Sequence, residues 1–146
     1  GVVTQFGPTA EIYRNPATLT AARVFSDPPI NAAEIVKTGD QARLSTGVAW
    51  TLYGEAAGLA DGPYTVAIRP HHVLPVRQSS ADVALNGVVQ VTELSGSESS
   101  AHFQMGADGW VSLAQGVHPY QVGEDHQFFM DATHAFFFAP DGRLVA

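Results

Sequence analysis

Six histidines are the side chains of this sequence best suited to hold a metal or move a proton near neutral pH. His71 and His72 are adjacent. Neighbouring side chains on a strand point to opposite faces, so this pair is not expected to share an ion. His102 falls on a strand-like stretch of its own, and His118, His126 and His134 converge only if successive strands align. No His-Glu-x-x-His or comparable ligand spacing occurs. The histidines therefore read as polar or half-buried positions, and no metal site is assigned.

Two carboxylates form the second candidate. Glu93 and Glu98 bracket Leu94-Ser95-Gly96-Ser97. A loop rich in Gly and Ser presents free N–H groups to a small anion, but the flanking carboxylates oppose one. No Gly-x-Ser-x-Gly elbow occurs, and Lys37, the only lysine, has no phosphate loop before it. Read from its residues, the chain is a domain with no catalytic, cofactor or metal residues.

The elements that would position these groups are short. Gly and Pro number 14 and 9 in 146 residues, which favours turns and strands over long helices. A helical preface is expected where Pro8 and Asn15-Pro16 give start signals, running from Pro16 to Phe25 through Leu19, Ala22 and Arg23. Asp27-Pro28-Pro29 stops it, which divides the chain into 1–28 and 29–146. Strands are expected at Ile30–Lys37, Gln41–Leu44, Tyr64–Arg69, Val88–Leu94, Ser100–Met105, Trp110–Ala114, His126–Asp131 and Ala135–Phe138. Tyr64, Val66 and Ile68 would share one face, as would Val89, Val91 and Glu93. The predicted fold is mainly β, an OB-like barrel or sandwich of short antiparallel strands after a short helical segment. Ser79-Ser80-Ala81-Asp82 is a candidate linker that would split the second domain into two lobes.

Composition excludes several function classes. Apolar residues make up 45% and charged residues 14%, enough for a core and too little charge for a disordered tail. Seven Lys+Arg against fourteen Asp+Glu give a net charge of −7, which repels nucleic acid and anionic lipid. The absence of cysteine removes disulfides, thiolate zinc sites and a cysteine nucleophile. No basic, then apolar, leader opens the chain and no apolar run reaches spanning length. The sequence opens on Gly1, as expected of a processed or excised fragment.

Several segments resemble, in order, those of importer ATPases of the maltose-transporter type. Gln5-Phe6-Gly7-Pro8-Thr9-Ala10-Glu11-Ile12-Tyr13-Arg14-Asn15-Pro16-Ala17 is similar to the end of the family's nucleotide-binding domain, and Phe25-Ser26-Asp27-Pro28-Pro29-Ile30-Asn31 to the crossing after it. Ala67-Ile68-Arg69-Pro70-His71-His72-Val73 resembles the family's Gly-Ile-Arg-Pro-Glu-His stretch. Gly87 to Glu98 resembles Gly-x-Val-x-x-x-Glu-x-Leu-Gly-Ser-Glu, and Gly123-Glu124 and Phe137 to Arg143 fit the closing strands. His71 stands where the family usually has Glu, and Asp27-Pro28-Pro29 replaces the commoner Gly-x-Pro. Leu94-Ser95-Gly96-Ser97-Glu98 lacks the second glycine of the ABC signature Leu-Ser-Gly-Gly-Gln and lies between strands, so the likeness is coincidental.

The resemblance implies a non-catalytic regulatory and dimerising domain of an ABC-importer ATP-binding subunit, with a transport-associated OB fold. The Asp-Pro-Pro form suggests the subgroup serving sugars or polyols such as glycerol. Implied partners are a second copy, the upstream nucleotide-binding domain, permease subunits through that domain and, in some members, a regulatory protein. ATP and magnesium would belong to the full-length subunit, on the cytoplasmic face of a bacterial plasma membrane. Arg69, Pro70, His71, His72, Glu93, Ser95, Gly96, Ser97 and Glu98 are the candidate interface or regulatory positions. The alternative is a freestanding OB-type module that binds a small oxyanion or sugar.

Overall fold

The computed structural model describes residues 17–24 and 29–146. The helix starts expected at Pro8 and Asn15-Pro16, and the crossing at 25–28, lie outside the described residues. In chain order the elements are α1 (Leu19–Val24), β1 (Asn31–Thr38), β2 (Gln41–Leu44), β3 (Ala49–Thr51), β4 (Gly62–Ile68), β5 (Val73–Leu74), β6 (Val83–Ser95), β7 (Glu98–Met105), β8 (Asp108–Gln115), β9 (Asp125–Met130) and β10 (Phe136–Phe138). The chain is mainly β and OB-like, as its turn and strand signals predict.

Two compact units divide the chain, Gly1–Ala67 with Phe136–Ala146, and Ile68–Ala135. The boundary expected at 28/29 adjoins residues outside the described ones. Ala22 of α1 is buried with Ile30, Ala67 and Phe138 in one cluster, so the helix shares its core with the strands that follow. Ser79–Asp82, the expected linker, lies inside the second unit. There the Asp82 carboxylate accepts from the N–H groups of Gln78 at 2.8 Å and Ser79 at 3.0 Å, fixing a turn.

In the first unit the sheet runs β10-β4-β1-β2-β3. Thr18 caps α1 through its hydroxyl, which accepts from Ala21 N–H at 3.0 Å. β1 alternates, burying Ala33, Ile35 and Lys37 on one face. The buried Lys37 ammonium donates to the carbonyls of Gly39 and Leu59 and lies 3.7 Å from the Asp61 carboxylate. A buried charge is tolerable only with such partners. Phe137 and Phe138 are buried in β10, which pairs antiparallel with β4.

In the second unit the sheet runs β5-β9-β6-β7-β8. A side chain ties its two outer strands: the buried Ser112 hydroxyl of β8 donates to the Val73 carbonyl of β5 at 2.5 Å. That bond nearly closes the sheet into a barrel and protects strand edges. Phe103 and Phe128 stack inside it, centroids 4.1 Å apart, with Leu85, Val89, Trp110 and Met130 buried around them. A register shift between Val89 and Val91 interrupts the β6–β7 ladder. Val89 is buried while Val91 is 48% exposed, so the two do not share one environment as the alternation predicts. From there to Ser95 every residue of β6 is exposed.

Candidate functional site

Arg69-Pro70-His71-His72 leads out of β4 into a single 3-10 turn, Pro70–His72. Pro70 sits where its missing N–H costs nothing, and His72 N–H donates to the Arg69 carbonyl at 3.0 Å. The strand geometry expected for His71 and His72 is thereby corrected: on the turn their rings approach, centroids 4.1 Å apart and tilted by 43°. Arg69 and Pro70 are buried, so only the two histidines of this segment reach the surface.

Glu93 to Glu98 forms a tight hairpin. Ser95 pairs with Glu98 across the two-residue turn Gly96-Ser97, where Gly96 has φ 61°. A left-handed residue is what that turn needs, and glycine supplies it without strain. Glu93 pairs with Ser100 on the exposed arm.

The two segments, separate candidates in the sequence, meet at one cavity. His71 from the turn and Glu98 from the hairpin line a cleft of about 480 Å³ with Leu74, Leu113, Gln115 and His118. Glu93, Ser95, Gly96 and Ser97 do not line it. Next to Glu98, the Ser99 hydroxyl donates to the Gly116 carbonyl at 2.5 Å and accepts from His118 N–H at 3.3 Å, which holds the backbone of the lining residue His118. The His118 ring Nε2 lies 2.8 Å from the Gln115 carbonyl. Among the described residues, no lysine or arginine lines the cleft. Burial, then Arg69 and His134, push His71 below its ordinary pKa, so it brings no positive charge there at neutral pH. The cleft offers amide, imidazole and carboxylate groups beside an apolar wall, a lining suited to a neutral hydroxyl-bearing molecule.

Behind His71 lies a cluster that the sequence spacing did not reveal. His72 stacks on His134, centroids 3.9 Å apart and planes within 5°. Asp131 joins them, its Oδ2 3.6 Å from His134 Nε2. Its Oδ1 accepts from Thr133 N–H at 3.2 Å and from the Thr133 hydroxyl at 2.5 Å. Asp131 N–H donates to the His72 carbonyl at 2.9 Å, pinning the two turns together. Burial, then His71 and His134, hold His72 down at about 4, against the opposing pull of Asp131. Burial alone would raise Asp131; the Thr133 hydrogen bonds and the two imidazoles outweigh it and leave the carboxyl below its usual value. His72, Asp131 and His134 offer ligand atoms all within 4.8 Å of one another. The sequence signal is the Asp-x-Thr-His that follows β9, which marks a capped turn and not a site.

Comparison with known proteins agrees with this architecture. The model of the TOBE domain family matches residues 66–138, which hold the turn, the hairpin and the cluster. The maltose/maltodextrin import ATP-binding protein MalK of Mannheimia succiniciproducens is 31% identical over 114 residues, covering 72% of this chain and 30% of that protein. The sn-glycerol-3-phosphate import ATP-binding protein UgpC of Cupriavidus necator is 28% identical over 156 aligned positions, covering 97% of this chain and 41% of that protein. The chain thus spans well under half the length of these relatives. Among solved structures, the cytoplasmic molybdate-binding protein ModG superposes with a TM-score of 0.53 at 18% identity, covering 75% of this chain and 96% of that one, a likeness of fold. No helix among the described residues is long and apolar enough to cross a membrane. With its turn, hairpin and closing strands all inside the matched span, the chain belongs to the TOBE domain family.

Proposed function

We propose that this chain is the non-catalytic regulatory and dimerising part of the ATP-binding subunit of an importer, with residues 1–28 as the tail of the nucleotide-binding domain. The observation that carries this reading is the TOBE match over 66–138 in a chain that has no phosphate loop, yet aligns with import ATP-binding proteins more than twice its length. In this reading ATP and magnesium act on the upstream domain, at the cytoplasmic face of the membrane, and permease subunits are met through that domain. The β domain holds two subunits together while their catalytic domains open. A rigid barrel with variable loops suits that task, and the contact would be isologous about a two-fold axis. The names of the relatives favour a sugar or a polyol derivative as cargo. Arg69 to His72 and Glu93 to Glu98 are the segments proposed to receive partners.

The test is a comparison of this chain with the full-length subunit. The chain alone is expected to turn over no ATP and to self-associate in sedimentation equilibrium, while the full-length subunit hydrolyses ATP. ATP turnover by the chain alone would sink the reading, and a strictly monomeric chain would remove its dimerising part.

A second reading is favoured by the cleft between His71 and Glu98. It is a freestanding module that binds a small ligand, as the similarly folded ModG is a molybdate-binding protein. The cationless lining here favours a sugar over an oxyanion. Calorimetric titrations that stay flat across simple sugars and oxyanions would count against it.

A further inference from the structure

We propose that His72, Asp131 and His134 form a binding site for a divalent transition-metal ion of the zinc class. Two imidazoles and a carboxylate are ligand types that such ions favour, and the chain has no thiolate to compete for one. Three features place them for it. The backbones of His72 and Asp131 are joined by the 2.9 Å hydrogen bond between the two turns, so two of the three ligands are fixed relative to each other. Thr133 occupies Oδ1 of Asp131 with two hydrogen bonds and leaves Oδ2 turned towards His134. This is the outer-shell support that orients a ligating carboxylate. Finally, Oδ2 and Nε2 lie 3.6 Å apart in the stacked arrangement, so Asp131 and His134 are within reach of one ion once the ring has turned.

The stack decides what must move. An imidazole lone pair lies in the plane of its ring, and the planes of His72 and His134 are within 5° of parallel at 3.9 Å. An ion in one plane therefore lies outside the other, so a shared ion requires one ring to turn. His134 is exposed on the short Ala132–His134 turn and is free to do so, whereas His72 is half-buried. Metal binding thus exchanges the stack for coordination. His71 faces the cleft and is not one of the three ligands. The Arg69 guanidinium is the neighbouring positive charge that opposes the ion.

The test is calorimetric titration of chelator-treated chain with Zn2+ alone, with Mg2+ as the control ion. One equivalent of Zn2+ is expected to bind, with Mg2+ silent. Asp131→Asn and His134→Ala should each weaken binding by at least roughly tenfold, while His102→Ala on β7 leaves it unchanged. Circular dichroism checks that each variant folds. In the unaltered chain, imidazole nitrogen resonances of His72 and His134 should shift on addition of Zn2+. Absence of uptake at millimolar Zn2+ overturns the proposal. So does uptake that survives both ligand variants, or resonance shifts confined to other histidines.

Discussion

The imidazoles of His72 and His134 lie face to face, 3.9 Å between centroids and 5° from parallel, although 61 residues separate them in the sequence. Two imidazolium rings in that position would repel, so the stack is stable while His72 stays neutral. Burial and the neighbouring imidazoles enforce this by holding its pKa near 4.

Acid should therefore loosen this part of the fold. His72 titrates at about 4 when folded and near 6.5 when unfolded, so between those values the unfolded chain takes up the proton and the folded one resists it. The stabilisation is complete above pH 6.5 and is lost as pH falls towards 4. Asp131, also lowered, adds a further loss below its ordinary 3.8. Because His72 is partly solvent-screened, the His72 contribution is on the order of 1 kcal/mol and not the full value of its shift. Thermal melts in chelator should show a midpoint that declines from pH 6.5 to 4, with a flatter decline in His72→Gln. Parallel pH profiles for the two proteins would refute this assignment.

Strand positions were largely legible because most strands alternate cleanly. Asn31–Thr38 and Gln41–Leu44 around Gly39, and the two strands around Gly106, needed only period two and a turn glycine. The shift at Val89/Val91 was not legible, since a bulge adds a residue and reverses the alternation without leaving a mark in composition. The cleft is half legible: the segments holding His71 and Glu98 both read as candidates, but nothing in either foretells that β5 and β8 bring them together. The cluster was hidden for a related reason. His72 meets Asp131 only because β5 pairs with β9, Val73 opposite Met130, and a 3-10 turn swings the histidine beside it.

Ser112→Ala should open the barrel at its seam. The hydroxyl is buried and donates to the buried Val73 carbonyl, so the variant leaves that acceptor without its partner. The expected cost is about 1–2 kcal/mol. Urea denaturation should show the lower midpoint, and hydrogen exchange should quicken at Val73 and Leu74. An unchanged midpoint would mean that the β5–β8 tie contributes nothing.

Two glycines in the same barrel should respond unequally to alanine. At Gly87 on β6 an added Cβ would collide with the Phe103 ring and stand 3.0 Å from the Gln104 carbonyl oxygen. Phe103 is itself fixed against Phe128 and cannot retreat. Gly87→Ala should cost about 2–3 kcal/mol by overpacking. At Gly109 the new methyl meets only the end of the Gln104 side chain, at 3.6 Å, so Gly109→Ala should change stability by less than about 0.5 kcal/mol. Equal effects at the two sites would show that the Phe103 packing yields.

The exposed arm beyond the bulge supplies the discriminating variant for the proposed dimer. Val91 and Leu94 are 48% and 60% exposed, on a strand segment whose last six residues are all open to solvent. They support no core, so replacing Leu94 should leave the melting midpoint within about 1 °C. If copies of the chain meet through this arm, Leu94→Asp places a buried charge on both sides of an isologous contact, beside its own mirror image. Self-association should then weaken by at least roughly a hundredfold, about 2.7 kcal/mol, with the fold intact. Sedimentation equilibrium of the two proteins at equal concentration checks it. A variant that self-associates as strongly as the parent would move the contact off the hairpin and leave the Arg69–His72 turn as the remaining candidate segment.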